Sequence, residues 1–172
     1  MKTDIKARKK IIIGVFYFLL LLFIDLLTKK LAVIYLKDTD GIKLINGVLE
    51  LLYVENNGMA FSMLKGQQAL FLITTPIICA VIIYVLIKIL KEENLTVLFY
   101  LLVTLLSGAA GNFIDRARTG YVVDFIYFSL IDFPVFNVAD IYVTVTVFLL
   151  FIVVIFDKSA GDALESVFQK SK

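Results

Sequence analysis

Six ionisable side chains interrupt apolar stretches of this sequence, and five of them are aspartates: Asp25, Asp115, Arg116, Asp124, Asp132 and Asp140. Where such stretches cross a membrane, ionisable groups are costly and mark functional sites by default. A short excursion separates Asp124 from Asp140 and returns both to one membrane surface. Two nearby carboxylates cannot both ionise cheaply, so one keeps a proton and the pair offers an acid and a base. Such a pair activates water against an amide without serine, cysteine or metal.

The composition excludes several other kinds of site. The chain has no histidine and one cysteine, Cys79, which excludes Ser-His-Asp and Cys-His catalysis, a HExxH zinc site and an internal disulfide. Ser62 and Lys65 are the residue types of a Ser-Lys protease, but they lie in a loop beside a glycine turn, and we disfavour that pairing. We expect no metal or other cofactor. Without a basic stripe carrying interleaved aromatics, we expect no nucleic-acid partner.

Two interpretations compete for Asn137 and Asp140. Asn-x-x-Asp at the start of an apolar helix is a capping pattern, in which side-chain oxygens accept hydrogen bonds from the first N–H groups. A catalytic role for Asp140 is favoured by Asp124, which lies in a strand-like segment whose alternation directs it away from the face of Val123 and Phe125. The sequence alone permits both interpretations.

Asn112, Asp115 and Arg116 share one helix face at spacing i, i+3 and i+4. They form a polar site there, or Asp115 and Arg116 only end the helix in the headgroup region. The preceding run 107–111, Ser-Gly-Ala-Ala-Gly, lets another helix backbone approach closely.

Two further aspartates have simple structural explanations. Asp25 and Lys29 are spaced i, i+4, which predicts a helix ion pair, with a polar contact near the site as the alternative. Asp132 precedes Phe133-Pro134, and we interpret it as a turn residue.

A membrane protein is the class that the composition requires. The chain is 60% hydrophobic and 19% charged, whereas soluble domains average about 45 to 50% and about 25%. A span needs about 20 apolar residues, which predicts a single membrane domain, 1–172, with four transmembrane helices. They cover about 11–36, 69–90, 95–114 and 137–156. The first run continues without a small-residue cleavage site, so we expect a retained helix and not a cleaved signal peptide.

Charge bias predicts the orientation of the spans. Of the 17 lysines and arginines, ten lie in the N-terminal tail, the link after the second span and the C-terminal tail. Positive residues favour the cytoplasmic side, so both termini are expected inside. The segments at about 37–68 and 115–136 then lie at the outer face.

A small outer β-sheet is predicted in these two segments. Residues 42–45 and 48–54 flank Asn46-Gly47, the dipeptide favoured in a type I′ hairpin turn. Residues 121–128 are β-branched and aromatic enough to add a strand. Asn57-Gly58 supplies a further turn before 59–64. The predicted fold class is therefore an α-helical integral membrane protein with a β-sheet platform and loops at the outer face.

Five ordered blocks resemble bacterial lipoprotein signal peptidase, also called signal peptidase II. They are Asp25-Leu-Leu-Thr28-Lys29, Asn56-Asn57-Gly58-Met59-Ala60-Phe61-Ser62, Gly111-Asn112-Phe-Ile-Asp115-Arg116, Val123-Asp124-Phe125 and Phe133-Pro134-Val-Phe136-Asn137-Val-Ala139-Asp140. The family commonly has two glycines before the third block, where this chain has Ala109 and Ala110.

The resemblance implies an intramembrane aspartyl protease of the bacterial cytoplasmic membrane. Such an enzyme removes the signal peptide of a prolipoprotein immediately before its diacylglyceryl-modified cysteine. The resemblance assigns Asp124 and Asp140 as the catalytic pair, and the matching polar or supporting positions are Asp25, Asn56, Gly58, Asn112, Asp115, Arg116 and Asn137. Lipid-modified prolipoprotein and membrane lipids are the implied partners, and we expect a monomer.

Two other functions explain the sequence less well. A small transporter or channel lines its path with Asp and Arg, but here the polar groups concentrate at one surface. A scaffold without chemistry leaves the Asp124 and Asp140 pairing unexplained. Burial and the nearby Asp140 charge should raise the pKa of Asp124, whereas a helix N-terminus favours Asp140 as an anion. We therefore predict that Asp124 holds the shared proton.

Overall fold

Four long helices and a three-stranded sheet make up the computed structural model, which describes residues 2–58 and 67–158 together with 161, 162 and 165. The order along the chain is α1 (Lys2–Leu36), β1 (Ile42–Ile45), β2 (Leu49–Asn56), α2 (Gln68–Ile89), α3 (Thr96–Thr119), β3 (Val122–Tyr127), a 3-10 turn (Ser129–Ile131) and α4 (Val138–Phe156). Within the described ranges, these four helices are long and apolar enough to cross a membrane. The predicted fold class is confirmed.

The helix boundaries differ from the prediction at two ends. Helix α1 begins in the basic tail at Lys2 and not near residue 11, because nothing in 2–10 breaks a helix. Helix α3 ends at Thr119 and not at 114, because its terminating residue is Gly120, whose left-handed φ of 83° closes the helix through an N–H bond to the Arg116 carbonyl. Asp115 and Arg116 therefore lie inside the helix.

Helix α3 is the centre of the bundle, with α1, α2 and α4 packed around it. The predicted close approach at 107–111 is confirmed. A Cβ added at Gly108 would lie 2.7 Å from the Ala139 carbonyl oxygen of α4, and one at Gly111 would collide with the Asp25 carboxylate of α1. Both neighbouring helices therefore need these glycines.

The sheet has the order β1-β2-β3, with both pairs antiparallel. The predicted hairpin at Asn46-Gly47 is confirmed, but the type I′ turn is wrong. Only Gly47 has a positive φ, 70°, whereas a type I′ turn needs two such residues. The connection is a three-residue turn, 46–48, closed by a hydrogen bond from Val48 N–H to the Ile45 carbonyl.

Strand β3 is buried on both faces, which is why it fixes the site. On one face Val123 and Phe125 pack against Ala32 and Leu36 near the end of α1. Asp124 alternates to the other face. The chain then returns through the 3-10 turn, and Phe136 pairs with Ile126 immediately before α4. The segment between Asp124 and Asp140 is thus fixed at its start by strand β3 and near its end by the pairing of Phe136 with Ile126.

Candidate active site

Asp124 is buried in strand β3 with both carboxylate oxygens occupied. Its side chain is in contact with two amides: Asn56 Nδ2 donates to Oδ2 at 2.7 Å, and Asn137 Nδ2 donates to Oδ1 at 2.6 Å. Val54 lies opposite Asp124 in the sheet and Asn56 opposite Val122, so Asn56 and Asp124 share one face. The strand register therefore positions the first of the two predicted carboxylates.

Burial raises the pKa of the Asp124 carboxyl from its usual 3.8 to about 6. This value of about 6 is the net result: burial and the Asp140 carboxylate raise the pKa, whereas the hydrogen bonds from Asn56 and Asn137 and the charge of Lys29 lower it. Loss of solvation prevails because the residue is only 1% exposed. Asp124 thus holds a proton to a higher pH than an ordinary aspartate does.

Asp140 lies in the first turn of α4 and belongs to a capping box. The Asn137 side-chain oxygen accepts from Asp140 N–H at 3.0 Å, and Asp140 Oδ2 accepts from Asn137 N–H at 3.1 Å. Its other oxygen accepts from Asn112 Nδ2 at 2.8 Å. The capping interpretation is therefore confirmed. Asp140 also belongs to a polar cluster of connected side chains, which comprises Asp25, Lys29, Asn56, Asn112, Asp115, Arg116, Asp124, Asn137 and Asp140.

Asn137 joins the two carboxylates. It is fully buried, and its amide has one possible orientation because its oxygen accepts a backbone N–H. The Nδ2 group must then face the Asp124 carboxylate and, at 3.3 Å, Asn112 Oδ1. Asn56 is oriented in the same way, because its oxygen accepts from Gly58 N–H at 2.9 Å. Backbone donors thus determine which ends of these amides point at Asp124.

Lys29 is a member of this cluster that sequence reasoning left out of the site. It is 3% exposed, and its ammonium lies 2.9 Å from Asp25 Oδ2, 2.9 Å from Asp115 Oδ2 and 2.8 Å from Asn112 Oδ1. The predicted Asp25–Lys29 pair is confirmed. The missed signal was a lysine on the same helix face as a buried aspartate inside an apolar run, where an ammonium needs several oxygen partners.

Asp25 also reaches α4. It is fully buried, and its Oδ1 accepts from the backbone N–H of Ala139 at 2.9 Å. Asp115 Oδ2 forms an ion pair with the Lys29 ammonium, but the two groups are not aligned for a hydrogen bond. The sequence placed Asp115 at a helix end, but it lies within α3 and faces α1.

Arg116 closes the cluster on the side of the β2 loop. Its Nη2 donates to the Gly58 carbonyl at 3.0 Å, and its guanidinium carbon lies 4.7 Å from the centre of the Phe71 ring. The buried Nε has no hydrogen-bond partner among the described residues. The permanently charged Arg116 guanidinium therefore has an N–H donor that the described residues leave unused, close to the two aspartates.

Of the remaining predicted positions, Asp132 lies outside this cluster. Asp132 has a left-handed φ of 48° at the end of the 3-10 turn and accepts from the Tyr127 hydroxyl at 2.7 Å; the turn assignment is confirmed. Ser62, Lys65 and the turn segment 59–64 fall outside the described residues. In the described part of the chain, no group of three acidic or cysteine side chains is placed to hold a metal ion.

The cluster has the parts that peptide hydrolysis needs. One aspartate, Asp124, has a pKa that burial raises to about 6, a second, Asp140, lies in the first turn of α4, and amides hold both in fixed orientations. An uncommitted guanidinium N–H can polarise a carbonyl.

Comparison with known proteins gives a consistent result. The model of the family described as signal peptidase (SPase) II matches residues 17–156, which include the whole cluster. The lipoprotein signal peptidase of Lactococcus lactis is 44% identical over 127 residues, covering 74% of this chain and 81% of that protein. The lipoprotein signal peptidase of Streptococcus agalactiae is 38% identical over 158 residues, covering 90% and 98%.

Two solved structures share the fold, and both are bacterial membrane enzymes determined by the in meso method. The one at 2.3 Å resolution is 33% identical with a TM-score of 0.75, covering 85% of this chain and 89% of that chain. The one at 1.9 Å resolution is 32% identical with a TM-score of 0.71, covering 84% and 93%. These matches favour a protease over the transporter and scaffold alternatives.

Proposed function

The chain belongs to the signal peptidase II family, and on that premise we propose that Asp124 and Asp140 are its catalytic pair. The enzyme is a membrane aspartyl endopeptidase that removes the signal peptide from diacylglyceryl-modified prolipoproteins, cleaving before the lipidated cysteine. The observation that carries the assignment is the double contact of Asn137, whose side chain bonds to Asp124 and whose side chain and backbone bond to Asp140.

In the proposed reaction, Asp140 begins as the base and Asp124 as the acid. Asp140 takes a proton from water as the water oxygen attacks the scissile carbonyl carbon, and Asp124 gives its proton to the carbonyl oxygen. The tetrahedral diol then collapses: the C–N bond breaks, Asp140 returns its proton to the leaving nitrogen, and Asp124 regains a proton from a diol hydroxyl. Both carboxyls end in their starting states.

The supporting residues have distinct parts in this proposal. Arg116 offers its Nε–H, which has no hydrogen-bond partner among the described residues, to a carbonyl of the substrate backbone, while its Nη2 donates to the Gly58 carbonyl. Asn56 and Asn112 each orient one aspartate. Because all of these groups belong to one chain, a monomer contains a complete site.

We further propose that the site lies at the outer face of the bacterial cytoplasmic membrane, with both termini inside. The basic residues of α1 and the α2–α3 link lie at the same end of the bundle, where Lys6 pairs with Glu93 at 2.7 Å and Lys91 with Asp4 at 3.3 Å. The sheet and both aspartates lie at the other end. The positive-inside rule then orients the molecule.

A cleavage assay with lipid-modified prolipoprotein in detergent tests the pair. Asp124→Asn and Asp140→Asn should each lower kcat by roughly 10⁴-fold, as loss of a catalytic group does, with the protein still folded. Asp132→Asn is the matched control, because Asp132 is an exposed aspartate that accepts a hydrogen bond from the Tyr127 hydroxyl. Near-normal cleavage by either pair variant, or a dead Asp132→Asn, would remove the assignment.

A further inference from the structure

Lys29 supplies the only ammonium group that touches the polar cluster among the described residues. It lies in α1, whereas its partners Asn112 and Asp115 lie in α3. Burial of this charge is compensated by three oxygens from Asp25, Asp115 and Asn112 at 2.8 to 2.9 Å. It does not touch Asp140 or Asp124 in any hydrogen bond of the described chain. Apart from its charge, which lowers the pKa of Asp124, any effect of Lys29 on the two aspartates must therefore pass through a neighbouring residue.

Asn112 is that neighbour, and its amide is held from both ends. Its Oδ1 accepts from Lys29 Nζ at 2.8 Å and from Asn137 Nδ2 at 3.3 Å, while its Nδ2 donates to Asp140 Oδ1 at 2.8 Å. An ammonium donates only, so the amide oxygen must face Lys29. The amide nitrogen must then face Asp140.

The alternative amide orientation shows what the cation does. A flipped Asn112 would direct its oxygen at the Asp140 carboxylate and its NH₂ group at the Lys29 ammonium. Acceptor would oppose acceptor and donor would oppose donor. The second, longer contact from Asn137 is weak by comparison. The charge on Lys29 is therefore the stronger constraint on this amide.

We propose that Lys29 is a positioning residue for the cleavage reaction, acting through Asn112. It fixes the Asn112 amide so that its N–H donor holds the Asp140 carboxylate in one orientation for water activation. This inference rests on the proposed function. It is a separate role from joining α1 to α3, which Lys29 also performs through Asp25 and Asp115.

The test compares kcat and KM of Lys29→Met, Asn112→Ala and the double variant on lipid-modified prolipoprotein. Methionine keeps the length and loses the charge. Removing a residue that orients a functional group from behind it typically lowers activity by about 10- to 100-fold. We expect a fall of that size in kcat, with KM changed less than about twofold. Lys30→Met is the matched control, since Lys30 is exposed, and its kcat should be unchanged.

The double variant separates positioning from a purely structural role. If Lys29 acts through Asn112, adding Lys29→Met to Asn112→Ala should change kcat by less than about threefold. Losses that multiply would overturn the inference, and so would a Lys29→Met enzyme with normal kcat and only a lower melting temperature. Should Lys29→Met fail to fold, Lys29→Met/Asp115→Asn removes the cation together with one buried negative charge and is expected to show the same fall in kcat.

The outcome is also distinguishable from failure of the proposed function. Active Asp124→Asn or Asp140→Asn enzyme would remove the catalytic pair itself. Inactive aspartate variants beside a fully active Lys29→Met would remove only the positioning role.

Discussion

Asparagine amides give the two aspartates their different surroundings. Asp124 is desolvated within a strand and bonds to two amide donors, from Asn56 and Asn137. Asp140 bonds to one amide donor and one backbone donor at a helix N-terminus. Because the donors of Asp124 lower its pKa while burial raises it, its protonation can be adjusted by a single substitution.

Asn56→Ala should move the alkaline limb of the pH profile. Asp124 must be protonated to act as the acid, so kcat/KM falls as the pH rises through its pKa of about 6. Removing the Asn56 donor destabilises the carboxylate and raises that pKa further, so the alkaline limb should move to higher pH.

We measure kcat/KM from about pH 4 to about pH 9, the range in which carboxyl groups with raised pKa values titrate. Folding is checked at both ends of this range. Asp132→Asn serves as the comparison. An alkaline limb that stays in place or moves to lower pH in Asn56→Ala would contradict the assignment of the acid to Asp124.

The sequence located most of the site residues but not their connections. The aspartates and amides were found because polar residues stand out in apolar runs and form recognisable blocks. Lys29 was passed over because an i, i+4 partner already explained it. Only the packing of α1 on α3 shows that the same ammonium also reaches Asn112 and Asp115, and sequence spacing carries no information about such contacts between helices.

At the scale of elements, the small residues on one face of α3 determine how closely α1 and α4 approach it at the site. Gly111 allows the Asp25 carboxylate of α1 to lie against the α3 backbone, and Gly108 allows the first turn of α4 to do the same. Asp25 then reaches across to the Ala139 N–H. The three helices that carry site residues are fixed by these approaches.

Gly111→Ala should destabilise the protein and reduce cleavage. The new Cβ would displace the Asp25 carboxylate, and with it the contacts to Lys29 and Ala139. Overpacking typically costs about 1 to 3 kcal/mol. The control for activity is Gly14→Ala, whose Cβ would meet the Phe99 ring at 2.8 Å in the apolar core, away from Asp25 and Lys29, so overpacking there should leave kcat unchanged.

Thermal unfolding in detergent and kcat are measured for both variants. A Gly111→Ala protein with the stability and kcat of the unsubstituted enzyme would show that the close approach of α1 to α3 is unimportant.

Element identities were predictable because the spans and strands have strong composition signals. Their ends were harder to place. The end of α3 was set too early because Asp115 and Arg116 looked like surface residues, whereas the physical terminator is Gly120. The sequence predicts the position of the turn at Asn46-Gly47 correctly but not its type, because the turn type depends on how the two strands twist.

At the scale of the whole molecule, the two ends of the bundle differ in character. One end has the basic start of α1 beside the α2–α3 link, and the other has the sheet, the 3-10 turn and the aspartates. Large apolar side chains are exposed along the 3-10 turn, where Leu130 is 68% and Ile131 is 69% exposed. In the proposed orientation, we expect a lipid-bearing substrate to meet the enzyme at this apolar surface.

Cysteine labelling of spheroplasts tests the orientation. In a Cys79→Ser background, Leu130→Cys should react with a membrane-impermeant maleimide in intact spheroplasts. Asn94→Cys, in the exposed α2–α3 link, should react only after lysis. The opposite pattern would invert the proposed topology.

Lipidation of the substrate should govern cleavage. Each buried CH₂ contributes about 0.8 kcal/mol, so two acyl chains can concentrate and orient a prolipoprotein at the apolar outer segments. We expect far lower kcat/KM for the same prolipoprotein without its diacylglyceryl group. Equal values for the two substrates would show that the outer segments do not recognise lipid.

The account depends most on Asp124 and Asp140 acting as one unit, and residual cleavage by the double variant Asp124→Asn/Asp140→Asn tests this. Groups that act together are strongly non-additive. In a sensitive single-turnover assay with lipid-modified prolipoprotein, the double variant should therefore be no slower than the slower single variant. A double variant slowed by the product of the two single losses would contradict a shared catalytic pair.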